Sequence, residues 1–315
     1  NEKFCGGAAA GQKKHIFLRK AVTLCWQKFV KEEPMERRII TGEQLAAFRR
    51  RLQEEERSPA TVEKYGKEAA RFAVWLEGRP VTKEAAVCWR EELLAKGLSP
   101  ATVNGKLAAL DRLFRFLGWE DCRVRHLRVQ RKLFRDSNRE LTREEYGRLL
   151  AACRAGGQER LALLMEAICA TGIRVSEVRY LTVEAARMGR AEVSLKGKIR
   201  TILIPGKLSR KLLKYAKKQK TVSGEIFLTR NGTGLSRKQI WAEMKAVCKK
   251  AGVAPGKVFP HNLRHLFART FYRVCRDVAK LADVLGHSSI ETTRIYLIST
   301  GDEHARVLER LRLIL

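Results

Sequence analysis

Acidic residues are scarce in this chain: 34 Asp and Glu stand against 64 Lys and Arg in 315 residues, a formal net charge of +30. That imbalance excludes a cationic or neutral ligand as the main partner and predicts a polyanion held by salt-sensitive contacts. Long apolar runs are missing too. None approaches the roughly 18 residues needed to cross a bilayer, and the stretch 16–30 is broken by Arg19, Lys20, Gln27 and Lys28. It also lacks a small-residue cleavage site of the secretory kind, so neither a membrane partner nor export is expected. The third absence is paired cysteines. Eight are scattered without a C-x-x-C, which argues against a zinc site or a disulfide framework and fits a reducing cytoplasm.

What is present is a folded globule, with 45% hydrophobic residues in helical periodicity rather than the pattern of a ribosomal-type basic protein. The length suits two domains with a core each. An internal echo marks the first: Ser58-Pro59-Ala60-Thr61-Val62 returns as Ser99-Pro100-Ala101-Thr102-Val103. Ser suits an N-cap, and Pro suits the first helical position. Behind the caps, Val62, Tyr65, Ala69, Phe72 and Leu76 form one stripe, and Val103, Leu107, Leu110, Phe114 and Leu117 another. Helices at 42–55 and 83–96 complete a four- or five-helix bundle within 39–121. Lys64, Lys67 and Arg71, with Arg49 to Arg51, give it a basic outer face. Each of these is a DNA contact or an ordinary solvated charge.

A basic segment, 122–140, follows, with Arg123, Arg125, Arg128, Arg131, Lys132 and Arg135. It reads as a linker tracking phosphate charge, or as a plain solvated tether. Thr142 with Glu145 then forms a capping box, and the second domain, 141–315, is placed there. It reads as helices at 142–154, 157–171, 174–181, 207–217, 235–251, 261–274, 277–285 and 289–297. One β-hairpin joins Ala191–Leu195 to Ile199–Ile204 around Lys196-Gly197-Lys198. Residues 1–38 are left as a leader of undetermined status.

Four local patterns carry chemistry: Ala170-Thr171-Gly172-Ile173-Arg174-Val175-Ser176-Glu177, His261-Asn262-Leu263-Arg264-His265, Leu285-Gly286-His287 and Thr293-Arg294-Ile295-Tyr296. Two arginine forks can hold phosphate oxygens, imidazoles can move protons, and a phenol can attack phosphorus. Glu177 either orients the Arg174 fork or makes a structural ion pair with Arg179 or another base. The His261–His265 spacing also admits a metal. The residues between them supply no acid and put a cation inside the would-be site, so no metal is expected. His265 is read as a packing or supporting histidine.

In this order the motifs resemble those of the tyrosine recombinases, the phage-integrase family, Xer and integrase-like enzymes included. The resemblance implies a mainly α protein: a helical core-binding domain, then a mostly-α catalytic domain with a small antiparallel sheet. It implies Arg174, Arg264, His261, His287 and the nucleophile Tyr296 as catalytic residues. A hairpin lysine would complete the set; the interval to Pro205 differs from the usual one by about a residue, which leaves Lys196 and Lys198 both open, and Lys196 is favoured because it falls at the end of the first strand. The implied enzyme cuts and rejoins double-stranded DNA through a 3′-phosphotyrosine, without cofactor, metal or ATP, as a tetramer in a cytoplasmic, nucleoid-associated setting. A type IB topoisomerase-like enzyme and a catalytically silent DNA-binding relative are the alternatives. The tail, 303–315, with Ala305, Val307, Leu308, Leu311 and Leu315 on one apolar stripe, is expected to dock on a neighbouring subunit, with packing on its own domain the alternative.

Overall fold

A computed structural model describes residues 38–129, 139–195, 198–296 and 309–311. The expected leader, Arg131, Lys132, Lys196 and nearly all of the tail stripe lie outside the described residues, as does the side chain of Lys198. The chain divides into two compact units, Asn1–Arg131 and Lys132–Leu315.

Among the described residues the first unit is four helices, α1 (Gly42–Glu54), α2 (Pro59–Leu76), α3 (Lys83–Ala95) and α4 (Pro100–Leu117), closed by a 3₁₀ turn at Glu120–Cys122. Both predicted stripes face inward, with Tyr65 and Leu117 at the margin. The Phe72 ring sits edge-on to Trp89 and Phe114 at 5.8 and 5.9 Å. The echoed caps differ. Ser99 Oγ accepts from the Thr102 amide at 3.3 Å, whereas Ser58 makes no such bond and pairs with the Thr61 hydroxyl at 2.8 Å.

The start of the predicted linker is fastened to this bundle. Cys122 and Val124 are buried in its core, and Asn104 clamps Leu127 by two hydrogen bonds of 2.8 Å. The reason is local: apolar residues alternate with the arginines here, so one face of the segment packs while Arg125 and Arg128 point out.

The second unit runs α5 (Arg143–Ala155), α6 (Glu159–Thr171), a 3₁₀ helix (Val175–Tyr180), α7 (Val183–Met188), β1 (Arg190–Leu195), β2 (Lys198–Leu203), α8 (Gly206–Lys218), α9 (Arg237–Ala251), α10 (Pro260–Cys275), α11 (Val278–Leu285) and α12 (Ile290–Arg294). The Thr142–Glu145 capping box is present. Three expectations change. The helix expected at 174–181 is a 3₁₀ helix over Val175–Tyr180, with Glu177 folded back onto the Arg174 amide. The six-residue α7 was not foreseen, being too short for a helical period to show. The helix expected at 289–297 stops at Arg294, so Tyr296 lies in the turn beyond it.

In the hairpin Leu195 pairs with Lys198, which puts Lys198 on β2 rather than in the turn. Ala191, Val193, Ile202 and Ile204 are buried while Leu203 is exposed, the alternation of a strand pair with one face on a core. Long α10 packs along α6, and that packing brings His261, Arg264 and His265 to the end of α6. Among the described residues no helix is long and apolar enough to cross a membrane.

Candidate active site

Two helix ends build the site. Helix α6 stops at Gly172 and α11 at Gly286, each with positive φ (64° and 62°), as glycine C-caps allow. Neither position has room for a side chain: a Cβ on Gly172 would overlap the Phe267 ring, and one on Gly286 would overlap Arg200. Each end therefore presents bare carbonyl oxygens, the negative pole of its helix.

Guanidinium groups satisfy those oxygens. Arg264, only 1% exposed, is the largest of the fully buried side chains. It donates through Nη1 to the Gly172 oxygen, and through Nη2 to the Leu285 oxygen at 2.8 Å and to His287 Nε2 at 2.9 Å. Arg174, 41% exposed along its side chain, donates to Glu177 Oε1 at 3.0 Å and to the Gly286 oxygen at 3.4 Å. Its outer edge stays open to solvent.

Glu177 is 1% exposed and takes two cations. Its Oε1 meets Arg174, and its Oε2 meets Arg200 and the Arg174 amide, the latter at 2.8 Å. Both offered roles are thus combined, except that the second partner is Arg200 and not Arg179, which turns to the Tyr180 hydroxyl at 3.1 Å. Burial works to raise the Glu177 pKa. The Arg174 amide and the Arg200 charge overcome it, and the carboxyl ends below its ordinary value.

A guanidinium can only donate, so His287 Nε2 must accept and its proton is assigned to Nδ1, which faces Thr293 Oγ1 at 2.8 Å. Burial, then the charges of Arg264, Arg174 and Arg200, push the imidazole pKa down to about 4. His261, at the first turn of α10, is likewise lowered by partial desolvation and by Arg264 and Arg174.

Tyr296 is 2% exposed and stands among these groups. Its ring lies parallel to His287 with centroids 5.7 Å apart, edge-on to His265 at 4.4 Å and 5.9 Å from His261. Burial lowers the Arg264 pKa, and a side-chain hydrogen bond to Tyr296 opposes that shift. His265 packs edge-on against the phenol and also against the His261 ring at 4.7 Å. Among the described residues no three His, Cys, Asp or Glu are grouped to hold a metal ion.

Five of the expected residues, Arg174, His261, Arg264, His287 and Tyr296, meet here with Glu177 and His265 beside them. Two more belong to the site and were missed. Thr293, fully buried, left no local signal. Arg200 did: it shares a strand face with Ile202 and Ile204, and an arginine at a core-facing position needs a buried partner. Away from the site, Lys67 pairs with Glu63 and Arg71 with buried Glu68, each at 2.6 Å, and Arg123 lies 3.3 Å from Glu120. Lys64, Arg125 and Arg128 are exposed.

A family model described as the phage integrase family matches residues 139–302, and one described as the phage integrase N-terminal SAM-like domain matches 45–121. The tyrosine recombinase XerA of Pyrococcus furiosus is 30% identical over 290 residues, covering 89% of this chain and 98% of that protein. The chain belongs to the phage integrase family. It is an enzyme of the tyrosine-recombinase type, similar also to XerC of Roseiflexus castenholzii, at 30% identity over 81% of this chain and 88% of that one. In fold it is similar to lambda integrase in a tetramer bound to a Holliday junction (TM-score 0.66, 19% identity, 89% of this chain and 85% of that one). XerH bound to its difH substrate is a second such neighbour (TM-score 0.61, 18% identity, 93% of each chain).

Proposed function

We propose that this integrase-family enzyme is a site-specific recombinase that cleaves and rejoins duplex DNA through a 3′-phosphotyrosine. Tyr296 Oη attacks the scissile phosphorus, a P–Oη bond forms, and the P–O5′ bond breaks. The phenolic proton passes to a neighbouring imidazole; His261, partly open and held neutral at pH 7, can take it. The departing O5′ takes a proton from the hairpin lysine, Lys196 or Lys198. A 5′-hydroxyl of another strand then reverses both steps, breaking P–Oη and restoring a phosphodiester. One phosphoester replaces another, so the cycle consumes no ATP.

Arg174 and Arg264 hold the two non-bridging oxygens and stabilise the charge that grows on them. A phosphate beside Arg264 draws its Nη2 off the His287 ring. Freed, and beside an anion, that ring binds a second proton and donates from Nε2. The exposed cations Lys64, Arg125 and Arg128 contact the DNA backbone. Two duplexes exchanging four strands require four subunits, and the lambda integrase tetramer on a Holliday junction supports that number.

The observation that carries this reading is the convergence of Arg174, Arg264, His287 and Tyr296 on the corner formed by Gly172 and Gly286. A nicked suicide duplex tests it. The chain should form a covalent adduct that Tyr296→Phe abolishes; a duplex that is bound but never linked would overturn it.

A further inference from the structure

Arg200 is a deeply placed cation of the site, 15% exposed along its side chain, that neither attacks, holds phosphate nor protonates the leaving oxygen. It sits on β2, two residues after Lys198 and four after Lys196. Strand alternation turns it to the core side with Ile202 and Ile204. We propose that Arg200 is a positioning residue that locks the hairpin onto the phosphate-binding corner and thereby sets where the hairpin lysine delivers its proton. This rests on the recombinase reading and adds a residue to it.

The contacts argue for a lock. Nη2 donates to Glu177 Oε2, the carboxylate whose other oxygen orients Arg174. Nη1 donates to the Leu285 oxygen, which also anchors Arg264, and lies 3.4 Å from the Val284 oxygen. One planar group is thus tied to the holders of both phosphate-binding arginines. The fit is close, since any Cβ on Gly286 would overlap the Arg200 side chain. The hairpin gains from such a tie because its sheet has two strands among the described residues. On β1 the Ser194 oxygen takes the Tyr180 hydroxyl at 2.7 Å, and on β2 the tie is Arg200. Were Arg200 present only to neutralise Glu177, a lysine would serve. A lock needs the rigid fork, which reaches acceptors on two elements at once.

The experiment compares adduct formation by the full chain on two suicide duplexes, one native and one with sulfur replacing O5′ at the scissile phosphate. A thiolate leaves without a proton. Arg200→Lys should slow cleavage of the native duplex about 10²-fold, as a misplaced general acid does, and regain most of that loss on the sulfur duplex. Arg264→Ala should be slow on both. Wild-type speed of Arg200→Lys on the native duplex, or an equal loss on the two, would overturn the proposal. So would loss of the folded circular-dichroism signal in Arg200→Lys, which would assign Arg200 to stability. A wild-type chain that links to neither duplex would remove the recombinase reading itself, and this proposal with it.

Discussion

His287 Nε2 lies 2.9 Å from Arg264 Nη2, an arrangement in which the imidazole can only accept. The ring is therefore neutral and protonated on Nδ1 while no phosphate is bound. Its pKa of about 4 against an ordinary value near 6.5 has a consequence for stability. Between those values the unfolded chain binds a proton that the folded chain refuses. Stability from this group is complete above about pH 6.5 and is lost as pH falls toward 4, with His261 acting in the same direction. Nitrogen NMR of the DNA-free protein should show the Nδ1–H tautomer and a His287 midpoint near pH 4. A midpoint near 6.5 would contradict the buried contact.

Removing the Glu177 carboxylate should leave Arg174 and Arg200 facing each other without a counter-charge. Glu177→Ala is expected to cost about 3 kcal/mol in urea denaturation, the scale for a broken buried pair. Glu177→Gln, which keeps the shape and one acceptor oxygen, should cost less. Equal stability of both variants with the parent would show that the pair is dispensable.

Gly172 and Gly157 separate strain from overlap. Both have positive φ, but a Cβ on Gly157 meets nothing within 4 Å, whereas one on Gly172 strikes Phe267. Gly157→Ala should cost about 1 kcal/mol. Gly172→Ala should cost about 3 kcal/mol, adding overpacking to strain. It should also impair adduct formation, because the Gly172 oxygen anchors Arg264. Similar melting shifts for the two would refute the distinction.

Two lysines on one helix should differ in their part in DNA binding. Lys67 is paired with Glu63 at 2.6 Å, while Lys64 has no carboxylate partner among the described residues. Lys64→Ala should reduce the slope of log affinity against log salt by about 0.9, one phosphate contact, and Lys67→Ala by less. Fluorescence anisotropy across a salt series measures both.

Much of this was legible in sequence because it is local. Capping boxes, stripes of period 3.6 and terminal glycines each speak within a few residues, so the frame from Arg143 to Leu285 and the order of the site residues could be read. Thr293 and Arg200 depend on which chain segments meet, and only Arg200 left a trace, as a charge on an inward strand position; the pairs Lys67–Glu63 and Arg71–Glu68, at i,i+4 and i,i+3 on one helix, are by contrast local and open to reading from spacing. The start of the linker was misjudged for the opposite reason: its arginines dominate the composition, while Val124 and Leu127 between them do the packing.

Among the described residues, the hydrogen-bond partners of Arg174, Arg200 and Arg264 include one carboxylate, that of Glu177; the rest are uncharged carbonyls, a neutral ring and the Tyr296 hydroxyl. Three positive groups against one negative leave a surplus of two inside a partly dry corner. The corner thus carries an internal repulsion that these side chains do not cancel. On the proposed function a DNA phosphate would relieve it and act also as the last structural member of the fold, and melting should rise with DNA concentration as for any ligand of the native state.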